Sequence, residues 1–162
     1  MAAIRDGVML FDPRHEDRIG GLEERLRRAD ALTPDLVGDV IAEACTRIAA
    51  HSPTARARID RLIECGAWTD ATLALIELEL PSWKLRRLVY DDGEWLCSLS
   101  KQPRLPLGLD ELAEASHESP PLAILIAFLR ARQAAAESTP TLSAVPQIRA
   151  AQGYAMCCDN FS

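Results

Sequence analysis

The amino-acid sequence predicts a mainly α-helical protein of the α+β class, with five or six helices and one antiparallel β-hairpin over 83–100. Three observations lead to this prediction. Apolar residues recur at helical spacing in several segments. Threonine or serine followed by proline, which marks helix starts, occurs at 33–34 and 52–53. Two β-prone runs flank an Asp-Asp-Gly turn at 91–93. At 162 residues the chain matches the usual size of one domain, so we expect a single domain over 1–137.

The first two predicted helices lie in the N-terminal half of the chain. Residues 14–31 form a surface helix, because a narrow apolar stripe runs among many charges: Ile19, Leu22, Leu26 and Ala29. Thr33 caps a second helix over 34–50, whose apolar face contains Leu36, Val37, Val40, Ile41, Ala44, Cys45 and Ile48. A short apolar patch at 8–11 precedes them, and its structure stays open.

Two further helices are expected before the hairpin. The third covers 54–65 and ends near Gly66, because glycine commonly terminates helices. Residues 69–80 have two alternatives, since their apolar positions fit a helix while 76–80 also alternates like a strand. Length favours the helix, which ends at Pro81.

The β-hairpin over 83–100 admits two registers. A two-residue turn at Asp92 and Gly93 would pair Tyr90 with Trp95. A three-residue loop would instead pair Val89 with Trp95. The sequence does not distinguish these alternatives.

The C-terminal third is expected to contain a loop, two helices and a tail. A proline-containing loop over 102–108 leads to a short helix at 109–116. The last helix covers 121–137, and its residues 122–129 are apolar all round, which predicts a helix buried at the centre of the fold. Residues 138–162 have little periodicity and are expected to form a flexible C-terminal tail.

Composition excludes several classes of protein. The net charge of -6 and the pI of about 5.1 disfavour general attraction to nucleic acid or to an anionic membrane. The longest apolar run, 122–129, is far shorter than the roughly 20 residues of a membrane-spanning helix. Five scattered cysteines are an odd number, which favours reduced thiols and a cytoplasmic location over a disulfide framework.

No sequence motif identifies a catalytic, cofactor or metal site. The chain has no glycine-rich phosphate loop, no Cys-x-x-Cys and no His-Glu-x-x-His pattern. Cys97 could act as a nucleophile only if a histidine such as His117 came close to it in space. We therefore predict no catalytic residue, no cofactor and no metal.

The hairpin carries the residues that we select as candidates for protein contact. Aromatic and arginine side chains are over-represented where proteins bind each other. Five of them lie on this short element: Trp83, Arg86, Arg87, Tyr90 and Trp95. The alternative is that the rings simply cover the aliphatic core.

The order of elements in 34–100 resembles that of a winged helix-turn-helix. This resemblance rests on element order and on no motif, and it implies a DNA-binding regulator with helix 69–80 in the major groove and the hairpin as the wing. Helix 69–80 carries three acidic residues and no lysine or arginine, which argues against that function. We expect a non-enzymatic protein-interaction or regulatory module that binds a protein partner or a second copy of itself, with nucleic acid disfavoured and no membrane contact.

Overall fold

A computed structural model describes residues 13–50 and 53–137, in which six helical segments accompany a three-stranded antiparallel sheet. In chain order the elements are α1 (Pro13–Arg28), α2 (Pro34–Ala44), α3 (Arg47–Ala50), α4 (Pro53–Glu64), α5 (Trp68–Glu79), β1 (Lys84–Asp91), β2 (Glu94–Ser100), a 3-10 turn (Leu107–Leu109), β3 (Leu112–His117) and α6 (Pro120–Glu137). The α+β class is confirmed. Five helices have eleven or more residues, and α3 is a single turn. The apolar patch at 8–11 and the predicted tail at 138–162 lie outside the described residues.

The last helix, α6, lies at the centre of the fold, as its all-round apolar sequence predicts. Every residue from Pro121 to Leu129 is buried. The helix packs against β2 and β3 on one side and against α1 and α5 on others. Burial of each large aliphatic side chain stabilises the fold by about 1.5–3 kcal/mol, and α6 contributes more buried apolar residues than any other described element. Among the helices of the described residues, none is long and apolar enough to span a membrane.

The prediction of one helix over 34–50 is wrong, because the helix breaks after Ala44. Cys45 adopts an extended conformation, and a new helical turn, α3, starts at Arg47. The buried carboxylate of Glu79 on α5 stabilises the break. It accepts hydrogen bonds from three consecutive backbone N–H groups, those of Thr46, Arg47 and Ile48. These donors would otherwise have needed the carbonyl groups of a continuous helix.

The prediction of a short helix over 109–116 is also wrong, because most of this segment is the strand β3. Ala113 and Ala115 are buried, whereas Glu114 between them and Ser116 after them are exposed. This alternation has the period of two that is typical of a strand with one buried face. β3 pairs antiparallel with β2, which becomes the central strand of the sheet.

The hairpin prediction is confirmed, and the structure selects the register of the two-residue turn. Tyr90 pairs with Trp95, and Asp91 pairs with Glu94 across the turn. Asp92 and Gly93 have φ values of 49° and 91°, which match the two positive-φ positions of a type I′ turn. A bulge between Leu85 and Arg87 interrupts the pairing near the start of β1.

Candidate protein-contact site on the β-hairpin

The sheet has an inner face that packs on the helical core and an outer face, one end of which is covered by the loop after β2 at the buried Ser100. Cys97 on β2 and Ala115 on β3 are buried in the core, and their neighbour Leu88 on β1 packs against it. The next row of paired residues lies on the outer face: Arg87, Ser98 and Glu114. The hairpin therefore contributes different side chains to the core and to the surface.

Arg86 lies at the bulge and is held by the protein itself. Its guanidinium group forms an ion pair with Asp110 and also donates a hydrogen bond to the carbonyl oxygen of Leu105 at 3.1 Å. Asp110 further accepts hydrogen bonds from the Ser100 hydroxyl and from the backbone N–H of Gln102. Burial opposes the charged form of Asp110, but these hydrogen bonds and the Arg86 charge hold its pKa below the ordinary value. Arg86 thus anchors the loop after β2 rather than standing free for a partner.

The two tryptophans of the hairpin region serve mainly as packing residues. Trp83 is 1% exposed, and the ammonium group of Lys101 lies 5.2 Å from the centroid of its ring. Trp95 is half-buried against the core. Its ring centroid lies 5.5 Å from that of Tyr90, which is 61% exposed. Of the three predicted aromatic contact residues, Tyr90 is the one that presents most of its ring to solvent.

Arg87 is the predicted cation that remains available on the surface. It is exposed, and no ion pair is formed by it within residues 13–50 and 53–137. Together with Arg86 it borders a groove of about 530 Å³ on the outer face, whose other lining residues are Leu96, Ser98, Leu112 and Glu114. The hydroxyl of Ser98 in this groove is buried without a hydrogen-bond partner among the described residues.

The free edge of β1 is the most distinctive feature of the hairpin. A two-residue turn is flanked by a pair that exchanges two hydrogen bonds, here Asp91 and Glu94, and this bonding alternates along the strand. The backbone N–H and C=O groups of Leu88 and Tyr90 therefore point away from β2. Within the described part of the chain, β2 is the only strand that pairs with β1. A polypeptide segment in extended conformation could add to this edge as a further strand.

The opposite edge of the sheet is partly covered by the protein itself. On β3, the backbone carbonyl of Glu114 accepts a hydrogen bond from Arg130 of α6. The same arginine also forms an ion pair with Glu23 of α1. One outward carbonyl of β3 is thus occupied by the protein itself, whereas no side-chain bond to the outward backbone groups of β1 is found among the described residues.

The geometry offers no activated nucleophile and no metal centre in the described residues. Burial raises the pKa of the Cys97 thiol to about 12, so Cys97 is protonated at neutral pH and shielded from solvent. Burial and the charge of Glu79 likewise raise the pKa of Cys45 to about 12, against the opposing effect of Arg132. No group of three histidine, cysteine, aspartate or glutamate residues within 13–50 and 53–137 is arranged to hold a metal ion.

The role of the β1 edge follows from a strand that the sequence prediction missed. With only a hairpin, β1 and β2 would each expose an edge, and neither could be singled out. The Ala-Glu-Ala-Ser alternation over 113–116 was the signal that could have revealed β3.

Comparison of the chain with protein-family models, with curated proteins and with solved structures finds no match in any of the three.

Proposed function

We propose that this protein is a cytoplasmic protein-interaction module that binds an extended polypeptide segment along the open edge of β1. The observation that supports the proposal is the outer edge of β1, which pairs with no strand among residues 13–50 and 53–137 and carries outward-pointing backbone groups at Leu88 and Tyr90. Such an edge supplies main-chain hydrogen bonds to any incoming strand. The three cysteines of the described region are free thiols, which supports a reducing compartment.

The side chains along this edge suit a polypeptide partner. Leu85 and Tyr90 are 39% and 61% exposed, so both offer apolar side-chain surface to a segment that adds to this edge. Arg87 is exposed on the outer face of the same strand, and its planar guanidinium group suits a carboxylate held by two hydrogen bonds. Tyrosine and arginine are over-represented among the residues that contribute most to protein binding.

A winged helix-turn-helix regulator remains the alternative, since α2, α4, α5 and the β1–β2 hairpin follow in the required order. The surface chemistry of α5 gives it less support. Most of α5 is packed into the core, and its exposed charged residues, Asp70 and Glu77, are both acidic. An acidic helix would be repelled by the phosphates that flank a major groove.

The proposal can be tested by affinity capture. The tagged full-length protein is expressed in its own cells beside the untagged chain, so that either a different protein or a second copy can be recovered with it. The decisive variant is Tyr90→Pro, because proline removes the outward N–H of an edge position without removing a bond to β2. Its matched control is Tyr90→Val, which keeps the N–H and suits a strand. We expect a polypeptide to be retained by the wild type and by Tyr90→Val, and to be lost with Tyr90→Pro.

Equal retention by Tyr90→Pro and Tyr90→Val would contradict binding at the β1 edge, provided that circular dichroism finds both variants folded. Recovery of nucleic acid that is lost as the salt concentration rises would instead favour the DNA-binding alternative. In that case a variant of α5, Glu77→Lys, should strengthen the retention of nucleic acid.

A further inference from the structure

The regular part of β1 is complementary to itself. After the bulge, the strand continues without interruption over five residues: Arg87, Leu88, Val89, Tyr90 and Asp91. A cation begins this segment, an anion ends it, and three apolar residues lie between. An antiparallel strand of the same sequence would therefore place opposite charges and apolar residues against each other if both strands were centred on Val89.

Strand geometry permits this centre. A two-fold axis perpendicular to a sheet requires one residue to lie opposite its own copy, because paired side chains must be on the same face. With Val89 on the axis, Arg87 lies opposite Asp91 of the second copy on the outer face. On the inner face Leu88 lies opposite Tyr90 of the second copy.

The backbone groups agree with the same register. The outward N–H and C=O groups belong to Leu88 and Tyr90, and these two residues face each other across the axis. Each such pair exchanges two hydrogen bonds. Val89 then forms the close, non-hydrogen-bonded pair with its own copy, in which the Cα atoms are about 4.5 Å apart.

The charges of the two end residues are available for this contact. Arg87 and Asp91 are both exposed, and neither forms an ion pair within residues 13–50 and 53–137. A centre on Leu88 would instead place Arg87 opposite Val89 and leave both charges without a partner. The choice of Val89 thus satisfies the side chains and the backbone together.

We infer that the polypeptide bound at the β1 edge is a second copy of this chain, joined by antiparallel β1–β1 pairing about Val89 into one continuous sheet. This inference rests on the proposed function. The contact is short, so it buries less than the roughly 1,200 Å² of a standard stable interface. We expect a reversible dimer that dissociates in the micromolar range of concentration, at about 1–100 µM.

Cysteine cross-linking tests the register. The experiment uses the full chain with Cys65→Ser, Cys157→Ser and Cys158→Ser, so that the buried thiols are the only native ones left. In this background Val89→Cys should form a disulfide-linked dimer under mild oxidation, because a Cα separation of about 4.5 Å is within disulfide range. The control Lys84→Cys is exposed on the same strand but lies far from its own copy across the axis, so it should form no disulfide-linked dimer. Equal cross-linking of the two variants, or none at Val89→Cys, would overturn the inference.

Charge reversal tests the pairing independently, by sedimentation velocity at rising concentration. Arg87→Asp and Asp91→Arg each place like charges opposite each other, so each variant alone should dimerise about tenfold more weakly than the wild type. A mixture of the two variants restores both opposite-charge pairs and should dimerise within about threefold of the wild type. Failure of the mixture to recover would contradict the pairing.

The two levels of the proposal can be separated. If the wild type sediments as a monomer at every concentration but Tyr90→Pro still abolishes capture of a different polypeptide, the second copy is wrong and the proposed function stands. If the wild type is monomeric and Tyr90→Pro changes no capture, both are wrong.

Discussion

Two regions of this molecule treat polar groups in opposite ways. At the junction of α2, α3 and α5, the carboxylate of Glu79 is buried, and it accepts hydrogen bonds from three backbone N–H groups and faces the guanidinium group of Arg132 at 3.7 Å. At the edge of β1, the outward backbone groups of Leu88 and Tyr90 pair with no other strand of the described residues. The polar groups of the first region are satisfied within the chain, whereas we propose that those of the second are satisfied by a partner.

The contrast separates charges that stabilise the fold from charges that remain for binding. Glu79 is 2% exposed, so its carboxylate lies in a region that largely excludes water, where an unpaired group is costly. Arg87 is exposed and gains little from staying in place. Substitutions at the two regions should therefore affect different measurements, stability at the first and association at the second.

The largest effect is expected from Glu79→Ala. The substitution leaves three backbone N–H groups, of which that of Ile48 is buried, and Arg132 without their carboxylate. Removing one partner of a buried charged network typically costs about 3–5 kcal/mol. We expect the free energy of unfolding, measured by urea denaturation, to fall by about 3 kcal/mol or more. The matched control is Glu77→Ala, an exposed glutamate on the same helix, which should change it by less than about 0.5 kcal/mol. Similar losses in the two variants would contradict the special role of Glu79.

Glu79 also explains why the sequence predicted some elements and missed others. The apolar face over 34–50 is a local pattern, and it correctly indicated helical conformation on both sides of the break. The break itself depends on a carboxylate more than thirty residues away along the chain, which no local pattern contains. By contrast, the hairpin depends on its own turn residues, Asp92 and Gly93, and was predicted correctly.

The segment at 109–116 failed for a different reason. Its alanines and glutamates have high helix propensity, and acidic residues at 110 and 111 suit the first turn of a helix, so the local sequence favours a helix. Pairing with the central strand β2 overrides propensity, because it buries Ala113 and Ala115 against α6. The prediction of contact residues was affected as well. Trp83 is buried and Arg86 is paired with Asp110, which lies in the loop before β3, so both side chains belong to the fold.

A smaller effect is expected from Gly93→Ala, which acts on the turn that positions β1. Gly93 has φ of 91°, a left-handed conformation that side chains with a Cβ atom rarely adopt. We expect a loss of about 1–2 kcal/mol in the free energy of unfolding. Dimerisation should weaken as well, because the edge of β1 is ordered by this turn. The measurement is urea denaturation together with sedimentation. An unchanged free energy of unfolding would contradict this expectation and would mean that the variant adopts another turn type without cost.

The smallest effect on stability is expected from Arg87→Ala, and its comparison with Arg86→Ala sharpens the distinction between the two kinds of charge. The two arginines are adjacent on β1, but Arg86 is bonded to Asp110 and Leu105 whereas Arg87 reaches solvent. Arg87→Ala should change the free energy of unfolding by less than about 0.5 kcal/mol, while Arg86→Ala leaves the carboxylate of Asp110 without its cation and should lower the melting temperature clearly.

Association should rank the same two variants in the opposite order. Arg87→Ala removes the charge that faces Asp91 of the second copy and should weaken dimerisation, whereas Arg86→Ala, where it remains folded, should not. If Arg87→Ala destabilises the monomer as much as Arg86→Ala does, Arg87 has a role in the fold that its exposure hides. The edge of β1 would then belong with the Glu79 junction, as a region completed by the chain itself.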